Sequence, residues 1–432
     1  MKALLSRRPT GSLLSAGALL FGSMTVVNGG NYLFNLVLGR WLGPAAFSDL
    51  SLLVTLLLMI TFVTVTFQLT AAKFAATYTA AGQIEQRGAL RHWLGRRSVQ
   101  WGLGAALLLT GGAPLWQRFF QTASALPFVI LGIGLPVYFL QGVDRGLLQG
   151  TARFGRLALS YQAEMWVRLL LGLGLVALGG AVGGAVLAIT LSFVATWLVA
   201  RPRRAPRTPP LSTRERAAIR RFALPVIVVH LGQILINNSD ILIVKRFFPA
   251  EQAGEYAAVA LIGRIVFFAT WSVVTVIFPL VAQKQENGEP HRHLLNMGLA
   301  AVAGVSGLIL LVAWLLPEQI ILLLFGPAYL AVAPSLWQYA LATTLYALGN
   351  VFVTYHLALG EQLGSYLTVA AGMLQIVILS LFHDSLTQVI WIQVGLMGTL
   401  LALQWIWSGW RAAAGMGGVT VPQFYKKLAD TH

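Results

Sequence analysis

An all-α, polytopic membrane protein is the fold class this sequence predicts, and three observations carry the prediction. Twelve apolar stretches run almost edge to edge through the 432 residues. Hydrophobic residues make up 57% of the chain and charged ones 10%, with a mean hydropathy of +0.74 that a water-facing surface does not tolerate. The basic residues, finally, are sorted to one side of the apolar stretches. A hydrocarbon core of roughly 30 Å asks about 20 apolar residues of a spanning helix and offers no water to an unpaired backbone group, so helices are the expected spanning form.

The spans fall at about 14–38, 47–71, 98–116, 124–146, 157–179, 181–200, 221–243, 254–281, 294–316, 333–357, 362–382 and 386–409. A net charge of +16 invites a nucleic-acid partner, but the position of the charges is the better guide. With Lys2, Arg7 and Arg8 placed in the cytoplasm, 24 of the 30 Lys and Arg fall on that side. Only Arg40, Arg118, Lys245 and Arg246 fall on the other. Both termini are therefore expected to be cytoplasmic. Insertion and anionic headgroups, membrane lipids being partners, account for the basic excess, and no nucleic acid is expected. The basic start and apolar run of the N-terminus are too long for a secretory signal and are read as a retained first helix. Without cysteine the chain has no disulfides, thiolate nucleophiles or cysteine metal sites.

Clustered proline and arginine in Arg201-Pro-Arg-Arg-Ala-Pro-Arg-Thr-Pro-Pro mark a linker. The expected organisation is a six-helix bundle over 1–200, a cytoplasmic linker over 201–220, a second six-helix bundle over 221–410 and a cytoplasmic tail over 411–432. Two motif pairs support a duplication. Leu36-Val-Leu-Gly-Arg-Trp-Leu-Gly-Pro-Ala-Ala-Phe-Ser-Asp-Leu50 matches Ile241-Leu-Ile-Val-Lys-Arg-Phe-Phe-Pro-Ala-Glu-Gln-Ala-Gly-Glu-Tyr256: a helix end, a basic residue, a Pro-Ala turn and an acidic residue. Leu148-Gln-Gly-Thr-Ala-Arg-Phe-Gly155 echoes Leu357-Ala-Leu-Gly-Glu-Gln-Leu-Gly364. Six being even, both bundles enter the membrane alike, which predicts a pseudo-twofold along the membrane normal and a central cleft.

The stretches Asn35 to Leu50, Leu148 to Gly155 and Asp240 to Arg264 resemble the multidrug/oligosaccharidyl-lipid/polysaccharide (MOP) exporter superfamily, within it the polysaccharide transporter or oligosaccharide flippase branch. The resemblance implies a V-shaped, MATE-like pair of bundles. It also implies export of a lipid-linked oligosaccharide across a bacterial inner membrane, in concert with enzymes of polysaccharide assembly. Peptidoglycan-precursor flippases of the superfamily usually carry two further C-terminal helices, absent here after residue 409, whereas drug exporters tend to have twelve.

Polar side chains inside spans are costly unless they face protein or water, so each is a candidate pathway residue. Arg264 lies deep between Leu261-Ile262 and Ile265-Val266. The resemblance implies that it faces the cleft, where a guanidinium suits a diphosphate. Bonding to carbonyls of a neighbouring helix is the plainer reading. Glu164 and Arg168, four apart, share a helix face. They are either a closed structural pair or a site where a substrate phosphate competes for Arg168 and leaves Glu164 open to a proton. Helix seven carries a stripe of His230, Gln233 and Asn237, with Asn238 and Asp240 beside it. Helix one carries Asn31 and Asn35, and helix ten Tyr346 and Asn350. These stripes could bond sugar hydroxyls or simply tie helices together. Asp49, Asp240, Lys245 and Glu255, near helix ends, are expected to meet headgroups or pair across the turns. Trp166 and Trp271 are candidates for stacking on sugars or for the interfacial belt.

Catalytic motifs are missing: there is no Gly-rich phosphate loop, no metalloprotease helix and no nucleophile elbow. His291 and His293 are expected to be solvated in a loop. No cofactor, metal or enzymatic activity is expected. The leading reading is an alternating-access flippase, with a cation-coupled drug or metabolite exporter of the same superfamily as the alternative.

Overall fold

A computed structural model describes residues 10–202 and 210–413, the side chains of residues 10–18, Phe268, Trp271, Ser272, Val274, Thr275, Val276 and Ala412 aside. The core of the linker and most of the C-terminal tail lie outside the described residues. Helices cover each of the twelve expected spans, and the described residues form no strand. Among the described residues seven stretches are long and apolar enough to cross a membrane; two of them, Leu19–Ala80 and Phe154–Ala200, are long enough for two crossings each.

By internal contacts the chain divides into two units between His230 and Leu231. The first contains α1 (Thr10–Ala80), α2 (Ile84–Gly111), α3 (Ala113–Phe120), α4 (Leu126–Gly150), α5 (Phe154–Leu175) and α6 (Ala181–Ala200). Helix α1 is two helices joined across a kink, broken at Gly43 (φ 74°, ψ 170°) and restarted by Pro44. Only glycine adopts that backbone without strain, and proline loses nothing at a helix start. Helix α4 is the axis of this unit, touching α1, α2 and α6, with Phe128, Leu135, Phe139 and Val143 fully buried. Its approach to α1 depends on Gly142, Gly146 and Gly150, one per turn, facing Thr64, Gln68 and Ala72. A Cβ on Gly146 would stand 2.2 Å from the carbonyl oxygen of Gln68.

Helix α7 (Thr213–Phe247) begins inside the segment read as linker. Its start is a capping box: the Ser212 hydroxyl accepts from the Glu215 N–H at 3.2 Å while Glu215 accepts from the Ser212 N–H at 2.8 Å. The cap and the packing of Leu211 and Ile219 on Ala71, Ala75 and Leu90 carry the helix through its charged first turns.

The second unit continues with α8 (Ala250–Glu286), α9 (Arg292–Leu315), α10 (Pro317–Leu324), α11 (Leu336–Ala358), α12 (Leu363–Leu381) and α13 (Leu386–Ala413). Here α11 is the axis, packed by α8, α9 and α13. Its Ala347, Val351, Phe352 and Tyr355 meet Ile277, Leu295 and Val302 in one core. The motif pairs read from sequence mark the same local structure in both halves. The Gly43-Pro44 break has its counterpart at Phe248-Pro249, where α7 ends and α8 begins. Helices α4 and α11 both end on a residue of positive φ, Ala152 (54°) and Gly360 (82°). The next N–H reaches back five residues in each, Arg153 to Leu148 O and Glu361 to His356 O, both at 2.9 Å.

Candidate functional site

Each unit holds a polar cluster among its helices. In the first, α5 places Glu164 and Arg168 one turn apart, and Arg168 Nη2 donates to Glu164 Oε1 at 2.7 Å. A second cation completes the group, with Arg145 Nη2 at 2.7 Å from Glu164 Oε2. Arg145 lies at the end of the expected fourth span, 124–146, and the positive-inside count takes it with the cytoplasmic residues. It is 6% exposed within α4, because that helix runs on to Gly150. Arg145 is further fixed by Ser160, whose hydroxyl and carbonyl accept at 3.1 and 3.0 Å, and by the Tyr161 ring 3.8 Å beneath its guanidinium. Arg168 Nη1 donates to Asn31 Oδ1 at 3.3 Å, and Asn35 donates back to the Asn31 carbonyl at 2.9 Å. Two guanidiniums thus share one carboxylate, a surplus of positive charge. The neighbouring Asp144 does not offset it, being engaged by Arg91 Nε at 2.8 Å.

The second cluster surrounds Arg264 on α8. Its Nη2 donates to Asn238 Oδ1 at 3.0 Å and to the Asn237 carbonyl at 3.3 Å, the plainer of the two contacts the sequence allowed. The polar stripe of α7 is largely tied to protein. Asn237 donates to the Gln233 carbonyl at 2.7 Å, His230 Nδ1 lies 2.9 Å from the Val226 carbonyl, and Gln233 donates weakly to Asn350 Oδ1 at 3.5 Å. Tyr346 stacks on Phe267 with ring centroids 5.6 Å apart.

Several residues sit differently from expectation. Asp240 is fully buried and meets no headgroup; its Oδ2 accepts from the hydroxyls of Tyr256 at 2.8 Å and Tyr339 at 2.9 Å. A carboxylate at that depth needs protein donors, and two phenols supply them. Asp49 is likewise buried and accepts from the Ala123 N–H at 3.0 Å, holding the turn before α4. Lys245 is buried. His291 is not solvated but packs within hydrogen-bond distance of the Tyr355 hydroxyl, 2.8 Å. Trp166 is 46% exposed, turned away from the charged face of its own helix, which suits a belt residue; the side chain of Trp271 is outside the described set.

Unit one thus brings together Glu164, Arg168, Asn31 and Asn35, and unit two brings together Arg264, Asn237, Gln233 and Asn350. Sequence reasoning missed Arg145, Ser160, Asp144, Tyr256 and Tyr339. The Asp144-Arg145 dipeptide, followed by Leu147-Leu148, was the available signal: a charged pair with apolar residues on both sides belongs to a helix more readily than to a loop. No group of three metal-ligating side chains occurs among the described residues.

Residues 13–285, more than half of the chain, match the family described as "Polysaccharide biosynthesis protein". Uncharacterized proteins of Mycobacterium tuberculosis and Mycobacterium bovis are 25% identical over 298 residues, 65% of this chain and 67% of theirs. The fold is similar to an inward-facing multidrug resistance MATE family transporter of the MOP superfamily (TM-score 0.78, 15% identity, 90% of this chain and 96% of that chain). It also matches MATE in a straight conformation (TM-score 0.63, 15% identity, 93% and 95%). At such identities the likeness establishes a MATE-like fold.

Proposed function

Since this chain belongs to the polysaccharide biosynthesis protein family and has a MATE-like fold, we propose that it is a multi-pass membrane transporter of the MOP superfamily whose cargo is a lipid-linked oligosaccharide, borne on a polyprenyl diphosphate. The cargo crosses a bacterial inner membrane by alternating access, with both termini in the cytoplasm, between enzymes that build the glycan and enzymes that consume it. The observation that carries this reading is the surplus of positive charge among the spans. Arg264 is bonded to neutral oxygens, and Arg168 shares its carboxylate with Arg145. A diphosphate needs such cations and forks readily onto guanidiniums. When a phosphate oxygen draws Arg168 away, Arg145 still neutralises Glu164, so binding need not wait for a proton to reach that carboxylate. Asn31, Asn35, Gln233, Asn237 and Asn350 offer amides to sugar hydroxyls.

Export of a cationic drug, the reading that the multidrug resistance names of the fold neighbours suggest, needs a carboxylate without a resident partner. Glu164, Asp144 and Asp240 are each engaged, by two arginines, by one arginine and by two tyrosines. The test is flipping of a fluorescent polyprenyl-diphosphate oligosaccharide in proteoliposomes, scored with a membrane-impermeant quencher. Protein-dependent flipping, lost in a correctly inserted Arg264→Ala chain, is the expected result. Normal flipping by Arg264→Ala removes that residue from the site. Failure across several glycans, with proton-driven uptake of a cationic dye, replaces the cargo with a drug.

A further inference from the structure

A cavity of about 820 Å³ opens where α5 begins and α6 ends, lined in part by Arg156, Leu159, Leu198 and Arg201. Arg156 is held in place by the last carbonyls of α6: its Nε donates to Val199 O at 2.8 Å and its Nη2 to Arg201 O at 2.5 Å. The guanidinium of Arg201 lies over the Trp197 ring, 4.9 Å from the centroid. Neither cation touches a carboxylate among the described residues. Asp144, which acts on Arg156 through space, is itself in contact with Arg91. Beside the two guanidiniums, Leu159 and Leu198 are exposed on the face of the helix pair.

Two cations lining a cavity, Arg156 held by helix-end carbonyls and Arg201 exposed over Trp197, with leucines leading away along spanning helices, have the chemistry of a lipid site. We propose that this cavity binds an anionic phospholipid, its headgroup phosphate on Arg156 and Arg201 and the first part of an acyl chain along Leu159 and Leu198. The cavity shares no lining residue with the cluster of Glu164, and the proposal does not depend on the identity of the cargo. A zwitterionic lipid brings the same phosphate but adds a cation that the two arginines repel. Free phosphate satisfies the arginines and leaves the leucines uncovered.

The test is native mass spectrometry of the full-length protein titrated with phosphatidylglycerol, chain-matched phosphatidylcholine, and inorganic phosphate. Retention of one phosphatidylglycerol in preference to phosphatidylcholine is expected. Arg201→Ala should weaken that binding about fivefold, the scale of one basic residue at a lipid surface. Arg97→Ala, which removes an exposed α2 arginine bonded to Gln100, should leave it unchanged. Arg156→Gln should weaken binding as well; because it also uncaps α6, Arg201→Ala remains the deciding variant should that protein fail to fold. Unchanged phosphatidylglycerol affinity in Arg201→Ala overturns the proposal. So does equal affinity for phosphatidylcholine, and displacement of the lipid by equimolar inorganic phosphate would make the cavity a free-anion site instead.

Discussion

In the first unit a largely buried carboxylate, 14% exposed, lies between two guanidiniums, Arg145 and Arg168; in the second a fully buried carboxylate lies between two phenols, Tyr256 and Tyr339. Both arrangements satisfy an anion inside a membrane protein, but they leave the local cations in different states. Glu164 is shared, so each arginine depends on it and on the other. Asp240 is bonded by neutral donors, so Arg264 keeps two neutral partners, Asn238 and the Asn237 carbonyl, and reaches Asp240 only through space. The two units thus hold two solutions to one desolvation problem.

Removing Glu164 is the harshest way to test this contrast. Glu164→Ala leaves two guanidiniums facing each other with nothing between them, and breaking a buried ion pair from one side costs about 3–5 kcal/mol. Unfolding followed by tryptophan fluorescence in mild detergent should register that loss, with Glu164→Gln recovering only part of it because an amide carries no charge. A loss below about 1 kcal/mol, the range of solvated pairs, would mean that water reaches the arginines and that the two clusters do not differ in kind.

The two arginines should separate in the same assay. Arg145 is held by Glu164, both oxygens of Ser160 and the Tyr161 ring, whereas Arg168 has Glu164 and a longer bond to Asn31. Arg145→Ala is expected to cost at least about 2 kcal/mol more than Arg168→Ala, since it forfeits several charged hydrogen bonds at once. Transport should order them the other way, with Arg168→Ala folded and inactive. Equal stabilities would show that α4 contributes no more to the cluster than α5 does alone.

Much of this architecture is legible in the sequence, for physical reasons. Spanning helices announce themselves by length and hydropathy because nothing else survives in hydrocarbon. The repeated turns are visible because proline, glycine and the basic residue before them act locally, at Gly43-Pro44 as at Phe248-Pro249. Glu164 and Arg168 are legible because they sit four apart on one helix. The role of Arg145 is not, since its bond to Glu164 joins two helices, and at the end of the span 124–146 it is counted simply as a cytoplasmic charge. Tyr339, 99 residues from Asp240, leaves no local mark at all. The glycines 142, 146 and 150 were in plain view, but which helix they admit is a tertiary fact.

For the second unit the expected losses are smaller. Asp240→Ala strands two phenolic hydroxyls and should cost about 1–3 kcal/mol, the desolvation of polar groups left unpaired. Asp240→Asn keeps an acceptor oxygen and should recover most of that. This is the sharpest form of the comparison: replacing a carboxylate by its amide is costly at Glu164 and cheap at Asp240. If both amides prove equally costly, the charge of Asp240 matters through Arg264, and the phenols are not the main source of its stability.

The smallest effect separates the two tyrosines. Tyr256 donates to Asp240 while accepting from Gln393, so Tyr256→Phe unpairs a buried amide and also loses one of the two bonds to Asp240 Oδ2. Tyr339 only donates to Asp240, and Tyr339→Phe leaves that oxygen bonded to Tyr256. Both substitutions preserve the edge-to-face packing of the rings, centroids 5.7 Å apart at 82°, so the hydroxyl alone is probed. Tyr339→Phe should therefore cost about 0.5–1.5 kcal/mol, one ordinary hydrogen bond, with Tyr256→Phe above it. The reverse order in thermal unfolding would mean that Gln393 contributes nothing. The second cluster would then be held by Tyr339 and Asp240 across the helices α7 and α11.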